Sequence, residues 1–170
     1  MRVLSDSDYG LFKRLVSLKQ TELQQAMAKY LKAKYNNVIF TKDYLVAIGD
    51  IPIALVAHLD TVFKTPVSKL YYDRQEGVLW SPDGLGADDR AGVFAILKIL
   101  QDGYRPSVIF TTDEEMGGLG ASALANRNCP ISGLKYMIEL DRQGDDDCVF
   151  YECYCPEFIE YVESFGFCEQ

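Results

Sequence analysis

Apolar residues recur at helical spacing twice near the start of the chain. Leu11, Leu15 and Leu18 line one face, and Leu23, Met27, Tyr30 and Leu31 form a second stripe. Thr21 followed by Gln24 has the form of a capping box, which puts the start of the second helix at Thr21. Asn36-Asn37 ends it. The period then shortens, and residues 38–41, 44–48 and 51–57 read as strands. The last is almost wholly apolar, so it belongs in the middle of a sheet with both faces covered. Residues 70–72 and 77–80 flank a polar turn as a hairpin would, and Ser81-Pro82-Asp83-Gly84 is a turn. Val93, Ile96, Leu97 and Leu100 restore the helical period from Asp88 to about Gln101, ended by Gly103. A short buried strand at 107–111, an alanine-rich helix at 121–125 and strands at 136–140 and 149–151 follow. Pro156 opens a last helix, continued by Phe158, Val162 and Phe165. Strands alternating with helices predict an α/β fold, a mixed, largely parallel sheet flanked by helices. No linker, repeat or low-complexity segment divides the chain, which reads as one domain over residues 1–170.

Composition narrows the partners. An apolar fraction of 48% supports a core, and a formal charge of −8 disfavours phosphate backbones, so nucleic acid is not expected. The apolar runs 51–57 and 91–100 are too short to span a bilayer, and no apolar export region follows Met1, so neither a membrane nor secretion is expected. Five cysteines (Cys129, Cys148, Cys153, Cys155 and Cys168) are an odd number in a chain of this size, which suits reduced thiols and a cytoplasmic setting. Asp145-Asp146-Asp147 reads as a solvated turn.

The chemistry gathers where apolar strands end. His58 and Asp60 follow one strand, Asp88 and Asp89 open a helix after a glycine-rich turn, Glu114 and Glu115 follow another strand, and Asp141 follows a third. Taken singly, each has an ordinary reading: a satisfied histidine, a helix cap, surface charge, the start of a turn. If the strands run parallel, however, their carboxyl ends share the sheet edge where open α/β sheets bind ligands. Acidic groups converging there are costly unless cations neutralise them. One imidazole with several carboxylates is a hydrolytic metal set, suited to zinc or a similar ion. In His58-Leu59-Asp60 the alternation of an extended chain puts both side chains on one side, so that Asp60 can orient the ring.

These residues resemble a known pattern. His58-Leu59-Asp60-Thr61-Val62 is similar to the H-x-D-T-V motif of di-zinc exopeptidases, and Gly86-Ala87-Asp88-Asp89-Arg90-Ala91-Gly92 to the G-A-D-D-K-A-G segment of peptidase T-like tripeptidases and relatives. Thr111-Thr112-Asp113-Glu114-Glu115-Met116-Gly117 resembles the family's glutamate pair and Glu139-Leu140-Asp141 its later aspartate motif, over residues 54–142 and in the family's order. The resemblance implies that His58 and Asp141 bind a first zinc, that the Asp88 carboxylate bridges two metals, that the Asp88–Asp89 peptide is cis, and that Glu115 binds the second metal. It also implies that Glu114 is the general base and that Asp60 orients His58. The substrate would be a peptide, cut by an aminopeptidase, a di- or tripeptidase, or a related carboxypeptidase or deacylase.

The chain departs from the family in one ligand. Relatives complete the second metal with a histidine on a late loop, and His58 is the single histidine here. Gln170 also follows soon after the Asp141 motif, so the sheet is expected to be incomplete at its C-terminal end. The expectation is therefore one tight zinc on His58, Asp88 and Asp141, with the second site weak or empty unless Asp145, Asp146 or Cys155 substitutes. The alternative is a catalytically weak metal-binding or assembly module of the same fold. An incomplete sheet leaves an unpaired strand edge, so self-association or pairing with a missing C-terminal segment is expected too.

Overall fold

The computed structural model describes residues 4–127, 130–144 and 147–169. Cys129, Asp145 and Asp146, named above, lie outside them. A five-stranded mixed sheet forms the centre. In chain order its strands are β1 (Val38–Phe40), β2 (Tyr44–Ala47), β3 (Ile51–His58), β6 (Pro106–Thr111) and β7 (Tyr136–Glu139). They lie in the order β1-β2-β6-β3-β7. β3, β6 and β7 run parallel, and β1 and β2 are antiparallel to their neighbours. β4 (Tyr71–Asp73) and β5 (Val78–Trp80) make the expected hairpin.

Alternation along the strands divides the core. Leu55 and Ala57 of β3 with Val108 and Phe110 of β6 face the helices α1 (Asp6–Val16), α2 (Gln20–Lys32) and α3 (Ala87–Gln101), where Leu23, Leu31, Ile96 and Leu100 are fully buried. Ala54, Val56 and Ile109 face the other side and pack with Leu124 of α4 (Leu119–Asn126). Helices thus cover both faces of β3 and β6. That is why residues 54–58 of β3 and all of β6 are buried. β7 is the outer strand, with Met137 and Ile138 exposed and, among the described residues, no strand paired to its far edge.

Two local expectations need correction. α2 begins at Gln20, capped at Lys19, whose amide donates to the Glu22 carboxylate at 2.9 Å. Gln24 does not close a box with Thr21. Its side chain is buried and donates to the carbonyls of Thr41 and Lys42, tying the helix to the β1–β2 turn. Residues 149–151 are not a strand. The pairing falls earlier, where β8 (Asp147–Cys148) meets β9 (Cys168–Glu169) in parallel and Arg142 donates to Asp147 at 2.9 Å. α5 (Pro156–Glu163) lies between them with Pro156 in its first turn, and Tyr136 stacks on its Phe158. No helix among the described residues is long and apolar enough to cross a membrane.

Tyr35, just after α2, anchors the start of the central strand. Its buried hydroxyl donates to the Pro106 carbonyl at 2.8 Å, and burial pushes the phenol up to about 12. Tyr35→Phe should cost about 1–2 kcal/mol, since the carbonyl loses its partner. The folded phenol titrates above the unfolded one, so its contribution is whole below about pH 10 and lost as pH rises through 12. Denaturant unfolding at pH 8 and pH 11.5 should therefore show the wild-type advantage over the variant shrinking at the higher pH.

Candidate metal centre

The parallel register brings the sequence motifs to one edge. His58 pairs with Thr111 across β3 and β6, and Val56 pairs with Glu139 across β3 and β7. Two residues beyond Val56 and Glu139 stand His58 and Asp141. The loop bearing Glu114 and Glu115 leaves β6 immediately beyond Thr111. α3 supplies Asp88 from its first turn, where Asp88 and Asp89 depart from helical geometry across a cis peptide bond, the isomer the resemblance implied.

His58 is the hub, and it is buried. On one side its Nδ1 lies 3.2 Å from Asp60 Oδ1. On the other its Nε2 lies 3.0 Å from Asp88 Oδ1, 3.6 Å from Asp141 Oδ2 and 3.8 Å from Glu114 Oε2. The two sides differ in solvent access. Asp60 is buried, and the amides of Glu114 and Glu115 donate to its two oxygens at 3.1 and 3.0 Å. Asp88 and Glu114 open toward solvent. The oxygens of Asp60 are thus occupied by the ring and two amides, and the groups around Nε2 remain open.

Ligand atoms of His58, Asp88 and Asp141 fall within 4.8 Å of one another, as do those of His58, Glu114 and Glu115. Two carboxylates at that separation repel by roughly 3–4 kcal/mol at an effective dielectric of about 20. A single imidazole cannot neutralise four such groups. Two of the four, Asp141 and Glu115, hold their protons above the usual range. Burial, followed by the charge of Asp88, lifts Asp141 to about 6 against the pull of His58. Burial and then Asp88 raise Glu115. Burial would depress His58, but the hydrogen bonds to Asp60 and Asp88 outweigh it and hold the imidazolium to about 9. Asp60 also resists burial, and the donors around it keep its carboxyl below the usual range. The donor types, their convergence and their uncompensated charge fit a divalent cation.

The six residues assigned site roles from the sequence meet here: His58, Asp60, Asp88, Glu114, Glu115 and Asp141. Cys155 does not join them; its thiol faces Glu157 at 3.4 Å. Two supporting residues have no role assigned from the sequence, although Arg90 lies within the segment 86–92 quoted above. Arg90 is buried and donates to the Leu15 and Leu18 carbonyls at 2.8 and 3.2 Å, which fastens the end of α1 to α3. Gln20 donates to Asp113 at 3.1 Å, which holds α2 to the loop before Glu114. A cavity of about 340 Å³ adjoins Asp60, Thr61, Gly86 and Arg90.

The glutamate loop is braced by close backbone approach. Thr112 donates to the Asp43 carbonyl through its amide and its hydroxyl, and the Gly120 amide donates to the Thr112 carbonyl at 3.0 Å. A Cβ on Gly120 would come within 2.4 Å of both carbonyl oxygens. Gly120→Ala must therefore displace this loop and should cost about 1–3 kcal/mol in denaturant unfolding.

Residues 37–151 match the sequence profile of peptidase family M28. No curated protein matches the chain by sequence. Solved structures share its fold. A tripeptidase from Staphylococcus aureus is 22% identical with a TM-score of 0.70, over 86% of this chain and 46% of that one. The aminopeptidase PepT from Bacillus cereus is 21% identical with a TM-score of 0.67, over 86% and 46%. Human carnosine dipeptidase 1 is 16% identical with a TM-score of 0.62, over 83% and 39%. The chain thus spans less than half the length of each of these structures.

Proposed function

The chain belongs to peptidase family M28, and from that premise we propose that residues 1–170 form a catalytic-type domain hydrolysing peptide bonds at chain ends or in small peptides. The observation that carries this reading is the position of Glu114. Its amide clasps Asp60 behind His58, while its carboxylate stands 3.8 Å from Nε2 on the same side as Asp88 and Asp141. A carboxylate so placed, exposed to water beside a metal-binding group, suits a general base. The tripeptidase, aminopeptidase and dipeptidase whose structures share this fold support a small-peptide substrate.

In this reading His58, Asp88 and Asp141 would hold one zinc tightly, and Asp88 and Glu115 would serve a second, weaker site. When bound, such ions lower the pKa of water and polarise a scissile carbonyl. Asp60 keeps the His58 ring turned so that Nε2 faces the ligand cluster. Glu114 takes a proton from the attacking water and returns it to the leaving amine, so that it is unprotonated again for the next cycle. A metal-binding or assembly module is the second reading, favoured by the single histidine. A base in Glu114's position argues against it, since binding alone has no use for one.

Elemental analysis after zinc loading and removal of excess should give one zinc per chain. Two equally tight zincs would refute the one-site reading, and none would remove the metal from the proposal. Glu114→Gln should keep the fold and the zinc and lower hydrolysis of unblocked di- and tripeptides by about 10²–10⁴-fold. Unchanged turnover would exclude Glu114 as the base. Zinc needs a neutral Nε2, and the metal-free imidazole holds its proton up to about 9. Zinc affinity, measured by chelator competition, should accordingly climb from pH 6 to 9, with proton release on binding.

A further inference from the structure

Asp89 stands beside a proposed ligand and faces away from it. We propose that it is a positioning residue, fixing His58 and Asp88 in their metal-facing arrangement while touching neither metal nor substrate. The inference rests on the metal reading above. Asp89 is 2% exposed and belongs to neither group of converging ligand atoms. One carboxylate oxygen accepts the backbone N–H of His58 at 3.2 Å, and the other accepts that of Gly92 at 2.9 Å. Among the described residues it has no ion-pair partner.

Its location explains what those two bonds do. His58 ends β3 and Gly92 lies one turn into α3, so the carboxylate ties the strand end to the helix start. Asp88 is the residue before Asp89, and its side chain must follow wherever that tie holds the backbone. The third ligand segment closes on the same point. A Cβ on Gly92 would come within 2.4 Å of Asp89 Oδ1 and 2.6 Å of the Leu140 carbonyl, one residue before Asp141. The segments carrying His58, Asp88 and Asp141 therefore meet around this one buried carboxylate. A buried carboxylate without a cation is costly to keep, and a core needing only volume would be more stable with an apolar side chain. What the carboxylate adds is two acceptors at a fixed separation, the span between the two amides.

Asp89→Asn preserves the shape but turns an N–H₂ toward one amide and loses one bond. Chelator competition should show zinc affinity falling about 10- to 100-fold. The chain has one histidine, so the ring signals in a long-range ¹H–¹⁵N spectrum of the metal-free protein belong to His58 without further assignment. They should shift or broaden in Asp89→Asn. Tyr35→Phe, remote from the site, serves as the control for lost stability and should leave both readouts unchanged. Affinity within twofold of wild type together with unchanged ring signals in Asp89→Asn would overturn the proposal. So would an affinity loss that Tyr35→Phe reproduces. If Asp89→Asn does not fold, Gly92→Ala, whose methyl displaces the same carboxylate, is read by the same criteria. Failure of both to fold while Tyr35→Phe folds would place Asp89 in the core and overturn the proposal. Were wild type to bind no zinc, the metal reading would fall, and the His58 signals of the metal-free proteins would still decide the role of Asp89.

Discussion

Two parallel pairings, β3 with β6 and β3 with β7, bring His58, Asp60, Glu114, Glu115 and Asp141 to one edge, where the start of α3 adds Asp88. Because strands in a parallel pair end on the same side, His58, Thr111 and Glu139 finish at nearly one level, and the residues just beyond them face one another. Antiparallel neighbours would have sent Glu114 or Asp141 to the opposite edge. The site follows from that register, and the helices on both faces exist to bury the strands that hold it. The cost is electrostatic. Several carboxylates crowd a single imidazole, and burial, with the charge of Asp88 added to it, raises Glu115 and Asp141.

The centre is built as a rigid rear and an open front. Behind His58, Asp60 uses its oxygens on the ring and on the Glu114 and Glu115 amides, and Asp89 uses its own on the His58 and Gly92 amides. In front, Asp88, Glu114 and Asp141 point their oxygens toward Nε2. The division matters chemically because a ligand set selects a cation only when its atoms are held in place before the cation arrives. Two buried carboxylates, those of Asp60 and Asp89, bond backbone amides and, in Asp60, the imidazole as well. Membership of peptidase family M28 gives the arrangement its chemical context. The fold shared with larger peptidase structures covers less than half of their length.

Most of this was legible in the chain for a simple reason. The period of Leu11, Leu15 and Leu18 and the apolar runs at 51–57 and 107–111 report burial, and burial is what makes a helix stripe or a central strand. Five of the six candidate residues could be picked out because they follow apolar runs, and strand ends are where sheets display chemistry; Asp88 was marked by the glycine-rich turn that opens its helix. Errors came where side chains chose partners distant in sequence. Thr21 and Gln24 have the spacing of a capping box, yet Gln24 is drawn 17 residues away to the β1–β2 turn. The apolar run at 149–151 looked like a strand, but the ladder formed at Asp147 and Cys148, where β9 lies alongside.

By itself the sequence determined the elements, the α/β class and the set of groups that could bind a metal, since all of these depend on local period and residue type. Only the tertiary structure decided where Asp89 stands, turned to two backbone amides and away from the ligand space. Asp88 and Asp89 are neighbours of identical chemistry; local period and residue type do not separate them, and only the family resemblance named Asp88. The turn of the chain between β5 and α3 sends one carboxylate toward Nε2 and buries the other against two backbone amides. That choice depends on where β3, α3 and the Asp141 segment meet, a three-body constraint that no spacing along one chain can encode.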